Sequence, residues 1–292
     1  MKKVLITGID SFTGTHLSSY LEACGYEVHG TSFFESGEKR YKCNITEKSD
    51  IVQVLKKVEP DFLIHLSGIS FAAHGNNEEF YNVNTIGTTN ILDTLVELGL
   101  NPSKIILASS ATVYGNQGLE ILDESLCPKP ANHYGASKYA MECLAQNYFN
   151  KLDIVIVRPF NYTGSGQAEH FLIPKIVKHF KEKRENIELG NLDVMREFND
   201  ISFVCEVYKR LLECDKKSEV LNIATNRGIK LLDVIDSMNE IAGYEIKVAV
   251  NPEFVRKDEI KSLTGSSDKL FDSIGIIELK DFKHTLREMF EA

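Results

Sequence analysis

The sequence predicts an α/β protein: a Rossmann-type, doubly wound parallel sheet with a smaller C-terminal lobe. Three observations carry this. Strand-like and helix-like segments alternate through the first two-thirds of the chain, a glycine-containing turn follows the first strand at once, and the rhythm changes beyond Gly166. Strands alternating with helices at this spacing imply right-handed crossovers and a parallel sheet. Ligands of such sheets sit beyond the carboxyl ends of the strands.

Lys3-Val4-Leu5-Ile6-Thr7 is apolar and bounded by Gly8, the pattern of a buried parallel strand. Gly8 to Gly14 then open a helix with Leu17, Tyr20 and Leu21 on one face. A glycine turn feeding a helix N-terminus lets backbone N–H groups and the helix dipole approach a pyrophosphate. The alternative is a ligand-free turn; its place straight after a strand favours nucleotide binding. Ser11 stands where a middle glycine is usual, which hinders the closest approach of a phosphate.

A second strand is expected at 26–31, a helix at 50–58 closed by Glu59-Pro60, a strand at 61–66 and a long helix over about 78–98. A strand at 104–109, the helix carrying Tyr134 to about residue 150, and a strand at 153–157 stopped by Arg158-Pro159 follow. Beyond Gly166 come helices at about 171–183, 201–213, 231–242 and 281–290, separated by short segments such as 219–223. Residues 33–42 and 115–132 read as loops. The division is a dinucleotide-binding domain over 1–165, to which later segments return, and a mainly substrate-binding lobe over 166–292.

A chain of 292 residues, 43% hydrophobic and 26% charged, has the makeup of an ordinary soluble globular protein. Its net charge of −9 argues against non-specific nucleic-acid binding. No apolar stretch approaches the ~20 residues of a membrane span. The N-terminus runs directly into a strand with no secretory signal, so a cytoplasmic location is expected. Six cysteines without C-x-x-C spacing read as reduced thiols, neither a disulfide framework nor a metal site.

The chemistry-bearing residues follow a strand end. Tyr134 and Lys138 are four residues apart, on one face of a helix, and Ser109-Ser110 closes the strand at 104–109. A lysine ammonium there lowers the phenol's pKa towards neutrality, and a serine hydroxyl binds the same substrate oxygen. That is equipment for moving a proton on and off an alcohol or carbonyl. Taken singly, each has a bland reading: Ser110 as a strand-end cap, Lys138 as an exposed lysine pairing with Glu142 at i+4. His65, in an apolar strand, reads as a packed core imidazole; His74 and His170 could face the crevice without ligand spacing.

These pieces together resemble the extended short-chain dehydrogenase/reductases, the NAD-dependent epimerase/dehydratase superfamily of nucleotide-sugar enzymes. The landmarks are Thr7-Gly8 to Gly14, His65-Leu66-Ser67-Gly68, Asn84 with Gly87-Thr88, Ser109 to Gly115, Tyr134 to Lys138, Arg158 to Gln167 and Arg196 to Asp200. They span nearly the whole chain. The resemblance implies a catalytic set of Ser110, Tyr134 and Lys138. It implies dinucleotide contacts from Gly8, Ser11, Phe12, Gly14, Thr31, Ser32, Asn44, Ile45, Leu66, Ser67, Gly68, Asn84 and Pro159, with Tyr134 and Lys138. Ser110 is followed by Ala111 and Thr112 rather than by an acid, which speaks against the sugar 4,6-dehydratases and leaves the 4-epimerases and the 4-keto-6-deoxy-sugar reductases.

The second lobe resembles the reductases that make GDP-6-deoxy-D-mannose. That implies nucleotide-sugar contacts from Ser110, Asn161, Gln167, Leu189, Arg196, Arg256 and Glu259, the arginines serving the diphosphate. Surface ion pairing, Arg196 with Glu197 and Arg256 with Asp258, is the alternative for the arginines. The expected reaction is reduction of the C4 ketone of an NDP-4-keto-6-deoxyhexose, GDP-linked before dTDP-linked; a catalytically silent dinucleotide sensor is the rival from another class. No carboxylate ends the second strand, so Thr31 or Ser32, with Lys39 or Arg40, favours NADPH, with NADH an alternative. Apolar positions on the helices beginning at Asn84 and Tyr134 point to a homodimer.

Overall fold

The structure is a computed structural model that describes residues 1–70, 76–255 and 259–292. Its centre is a seven-stranded parallel sheet in the order β11-β6-β5-β4-β1-β2-β3. The first six strands are β1 (Lys3–Thr7), β2 (Glu27–Ser32), β3 (Arg40–Lys42), β4 (Phe62–His65), β5 (Lys104–Ala108) and β6 (Ile154–Pro159). The seventh strand, β11 (Glu219–Ile223), comes from far along the chain and pairs with β6. Strand order reverses between β1 and β4, which creates the crevice where such sheets take ligands.

Helices cover both faces. Five are α1 (Phe12–Ala23), α2 (Lys48–Val58), α3 (Asn77–Phe80), α4 (Thr88–Leu98) and α5 (His133–Ala145). The strands are apolar on both faces because side chains alternate and neither face meets water. Val4, Ile6, Ile64, Ile106 and Val157 join the core under α1; Leu5, Leu63, Ile105, Leu107 and Ile156 join the one under α2, α4 and α5.

The second lobe gathers α6 (Leu172–Lys181), α8 (Leu231–Ala242) and α10 (Phe282–Glu291) around their own core with Ile187, Leu189 and Phe198. Its short strands are β7 (Tyr162–Thr163) with β10 (Asn199–Asp200), β8 (Asn186–Leu189) with β13 (Lys247–Val250), and β9 (Met195–Arg196) between β12 (Ile229–Lys230) and β14 (Ser262–Leu263). Two helices of this half, α7 (Ile201–Glu213) and α9 (Asp268–Ile274), supply Phe203, Val204, Tyr208 and Leu270 to the first lobe's core.

Three elements depart from expectation. The segment 33–42 is not loop throughout: it ends in β3, whose Arg40 pairs with Gly30. The long helix is broken by a π-helix over Tyr81–Gly87, which carries Asn84. The apolar stripe expected to pair two copies is mostly turned inward: Ile91, Leu92, Leu95, Met141 and Ala145 are buried in this chain's own core. Ile86, Val96 and Leu144 are the large apolar side chains those helices leave exposed. Among the described residues, no helix is long and apolar enough to cross a membrane, and no group of three or more side chains could hold a metal ion.

Candidate active site

Gly8 leaves β1 at φ +72°, and a side chain there would press on Ser67 N at 3.0 Å, across the switch point. Gly14 packs closer still, since a Cβ would stand 2.4 Å from Gly8 O. The turn therefore folds tightly against β4, as a backbone that approaches a pyrophosphate must. Ser11 needs no glycine, because its φ of −69° is ordinary. It caps α1: Gly14 N–H donates to Ser11 Oγ at 3.0 Å. By helix geometry the N–H groups of Phe12 and Thr13 have no intrahelical acceptor, so they fit an anion at the positive end of α1. The Phe12 ring stacks on Tyr162 at 6.2 Å, and Tyr162 OH shares a 2.7 Å hydrogen bond with Thr13 Oγ1. That contact between the turn and the loop after β6 joins segments 149 residues apart and has no local sequence signal.

Ser110 ends the β5 segment and caps a short 3₁₀ turn over Ala111–Tyr114. Its Oγ accepts from Thr112 N–H at 3.2 Å and Thr112 Oγ1–H at 2.9 Å. Both lone pairs are thus held and the serine's own proton is left to donate. The capping reading and the catalytic one are compatible. Tyr134, in the first turn of α5, is buried, with the Ser110 hydroxyl acting on its phenol. Burial pushes the phenol up to about 12, with the Ser110 hydroxyl pulling the other way. This corrects the expectation that Lys138 brings Tyr134 towards neutrality: desolvation dominates. Lys138 is buried too, and its Nζ donates to Ala108 O at 2.8 Å at the end of β5. Burial draws its ammonium down to about 8, against the pull of Glu142.

Glu142 does not pair with Lys138 as an exposed i+4 partner. It is fully buried and accepts from Arg158 Nε at 3.0 Å, Arg158 Nη2 at 2.7 Å and Ser109 Oγ–H at 2.5 Å. A buried carboxylate with a bidentate guanidinium is held hard, and losing one partner would strand a charge. The bridge ties α5 to the ends of β5 and β6, and so fixes Ser110 against Tyr134. Arg158 lies over the Tyr114 ring at 4.8 Å, and Tyr114 OH donates to Asn222 Oδ1 at 2.8 Å on β11.

Asn84, expected at the cofactor, acts as a bracket. Its Oδ1 accepts from Ile69 N–H at 2.8 Å and its Nδ2 donates to Ser137 Oγ and Ile69 O, both at 3.1 Å. This pins the Ser67-Gly68 loop to α5; at Gly68 a Cβ would meet Asn84 Oδ1 at 2.8 Å and Lys138 Nζ at 3.2 Å. Leu66 N–H and Ser67 N–H both donate to Thr7 Oγ1 at 3.2 Å. His65 is the core imidazole expected, between Thr7 Oγ1 at 2.6 Å and Thr88 Oγ1 at 2.8 Å, and burial drops its pKa to about 3. Asn44 Oδ1 accepts from Thr46 N–H at 3.1 Å, leaving its amide donor for a ligand, while the Ile45 side chain is buried against Gly87. Pro159 closes β6, half-buried beside the site.

At the end of β2 three of the four residues expected at a 2′-phosphate are engaged or buried, while Arg40 is exposed on β3. Ser32 Oγ donates to the carboxylate of Asp10 at 2.7 Å, and Thr31 is buried. Lys39 points away, with Nζ 3.8 Å from Glu27 at the start of the strand. The tight turn, the helix N-terminus and the polar loop ends fit a dinucleotide.

The expected substrate residues divide. Asn161 is exposed after β6, and its O accepts from Asn199 N–H at 2.9 Å. Gln167 braces its own loop, accepting from Thr163 Oγ1 at 2.6 Å and donating to Tyr162 O at 3.2 Å. Leu189 is 2% exposed in the second core, so its side chain cannot touch a sugar; the strand β8, unread in the sequence, turns it inward. Arg196 and Glu259 do come together, Nη2 to Oε1 at 2.7 Å, with Arg196 also donating to Met195 O at 2.8 Å. The partner expected for Arg196 was Glu197. That carboxylate is instead buried and accepts from Gly265 N–H and Thr225 N–H, each at 2.8 Å. Arg256 and His74 lie outside the described residues. Sequence reasoning missed Thr112, Asp10 and the Glu142–Arg158 bridge; Glu142 carried a signal in its i+4 spacing, but the partner it meets comes from another strand.

The chain is similar over nearly its whole length to known proteins. Over 295 residues the chain is 36% identical to the GDP-6-deoxy-D-talose 4-dehydrogenase of Aggregatibacter actinomycetemcomitans, covering 99% of this chain and 97% of that one. It is 28% identical to the GDP-6-deoxy-D-mannose reductase of Pseudomonas aeruginosa, covering 98% and 95%. The solved structure of RMD from Pseudomonas aeruginosa complexed with NADPH superposes with a TM-score of 0.87 at 26% identity, covering 100% and 97%. The family model for NAD dependent epimerases and dehydratases matches residues 4–224, the span from β1 to the end of the central sheet. The chain belongs to the NAD dependent epimerase/dehydratase family, the extended short-chain dehydrogenase/reductases.

Proposed function

We propose that the chain is an oxidoreductase that reduces the C4 ketone of a GDP-linked 4-keto-6-deoxyhexose to the alcohol. The observation that carries this reading is the Ser110–Tyr134 pair, with Lys138 beside it and no acid following Ser110. A bound reduced nicotinamide dinucleotide supplies the hydride that adds to the ketone carbon. Ser110 donates its free proton as a hydrogen bond to the carbonyl oxygen as charge develops there. Tyr134, held protonated by a pKa of about 12, gives its proton to the same oxygen. Lys138 keeps α5 against the end of β5 and places a cation beside the reacting groups. Ala111 and Thr112 offer no acid for C5–C6 chemistry, which sets the reading apart from a dehydratase.

The names of the two relatives support a GDP-sugar over other nucleotide sugars. The test incubates the protein with NADH or NADPH and 4-keto-6-deoxyhexoses carrying GDP, dTDP or UDP, following absorbance and product. The expected result is one reduced dinucleotide consumed per GDP-sugar reduced. Interconversion of UDP-glucose and UDP-galactose without net oxidation would identify a 4-epimerase instead, and dinucleotide binding without turnover would identify a sensor. Two copies pairing through Ile86 and Leu144 complete the reading. Light scattering should then give twice the chain's 32.9 kDa, and a mass of one chain would reject the dimer.

A further inference from the structure

The turn that opens α1 holds a carboxylate at the place from which dinucleotide folds read the adenosine ribose. Asp10 is exposed, and its Oδ2 accepts a 2.7 Å hydrogen bond from Ser32 Oγ, the last residue of β2. The Ser32 oxygen also accepts from Phe34 N–H at 3.1 Å and Glu35 N–H at 3.4 Å. Its one proton is therefore committed to Asp10, and the carboxylate is pinned at the carboxyl end of β2. In folds of this kind an acidic side chain usually reaches the ribose 2′-hydroxyl from the strand that follows the glycine turn. Here that strand ends Gly30-Thr31-Ser32 without an acid, and the turn itself supplies one.

A carboxylate only accepts hydrogen bonds, so it takes a 2′-hydroxyl proton and meets a 2′-phosphate with like charge; a phosphomonoester carries about −1.5 to −2 near pH 7. The cations of this edge are Lys39, Arg40 and Lys42, of which Arg40 is exposed on β3 opposite Gly30. Lys39 lies beside Glu27 at the far end of β2. Lys42 stands opposite Ser32 in the sheet register but forms no ion pair with Asp10 among the described residues. Ser32 cannot donate to a phosphate without releasing Asp10.

We infer that Asp10 selects the unphosphorylated dinucleotide, so that the working cofactor is NADH and NADPH is discriminated against. This rests on the dinucleotide-binding reading of the turn. The test is fluorescence titration of the full chain with NADH and with NADPH, without sugar, alongside Asp10→Asn, Asp10→Ser and Lys42→Ala. The wild type should bind NADH at least about tenfold more tightly than NADPH, one power of ten in Kd. Asp10→Asn keeps an acceptor for Ser32 and removes the charge; it and Asp10→Ser should each narrow that ratio, chiefly by tightening NADPH. Lys42→Ala should leave it unchanged. Melting temperatures near the wild type's show that the variants are folded, and either Asp10 variant suffices. A wild type that binds NADPH as tightly as NADH, or a ratio that follows Lys42 and ignores Asp10, overturns the inference. Binding of neither dinucleotide would overturn the underlying reading as well.

Discussion

The two halves of the crevice are built differently. On the sheet side, Ser110 and Tyr134 sit near the ends of regular elements and Lys138 one turn further along α5; Thr112 bonds Ser110, Ala108 bonds Lys138, and the buried Glu142 holds the neighbouring Ser109 and Arg158. On the second lobe's side, residues that match a nucleotide-sugar pattern have become struts, with Gln167 in its own loop, Leu189 in the core and Arg196 bonded to Glu259. The first side is chemistry that had to be fixed, because proton transfer tolerates little misplacement. The second is a frame that presents a surface, so most of its polar groups are already satisfied.

Tyr134→Phe should have the largest effect. On the sheet side we expect kcat to fall by about 10²-fold or more, the scale of lost general-acid catalysis, with dinucleotide affinity little changed. Near-normal turnover would remove Tyr134 from its role. Leu189→Ala tests the other side: urea denaturation should show a loss of about 2–5 kcal/mol, as for a large-to-small change in a packed core. A raised KM at unchanged stability would instead return Leu189 to the substrate.

Acid titration sharpens the contrast through His65. Its folded pKa of about 3 is below the ordinary histidine value, so the unfolded chain binds the proton first. The stability this neutral imidazole confers is complete above about pH 6.5 and is lost as pH falls towards 3, at about 1.4 kcal/mol per pH unit. His65→Gln should flatten that part of the stability profile, and an unchanged slope would mean the imidazole titrates normally. The smallest effect is expected for Gln167→Ala, a loss of about 1 kcal/mol for the loop bond to Thr163 and a KM within about threefold of wild type. A large rise in KM would show that Gln167 leaves its brace to meet the substrate.

By itself the sequence determined the doubly wound sheet, the glycine turn after β1, the Tyr134-x-x-x-Lys138 pair and the core role of His65. Each is local: apolar runs, glycine positions and helical spacing act over a few residues, where chain geometry alone sets which side chains face together. Tertiary structure decided the rest. Asp10 meets Ser32 across 22 residues, Arg158 reaches Glu142 from the next strand, and β11 arrives from the second half of the chain to complete the sheet. It also reversed two readings: Leu189 turned inward and the Tyr134 phenol shifted upward. Burial did both. How far a side chain is removed from water depends on elements distant in sequence, so no local pattern reports it, and desolvation sets both an apolar residue's place and a phenol's pKa.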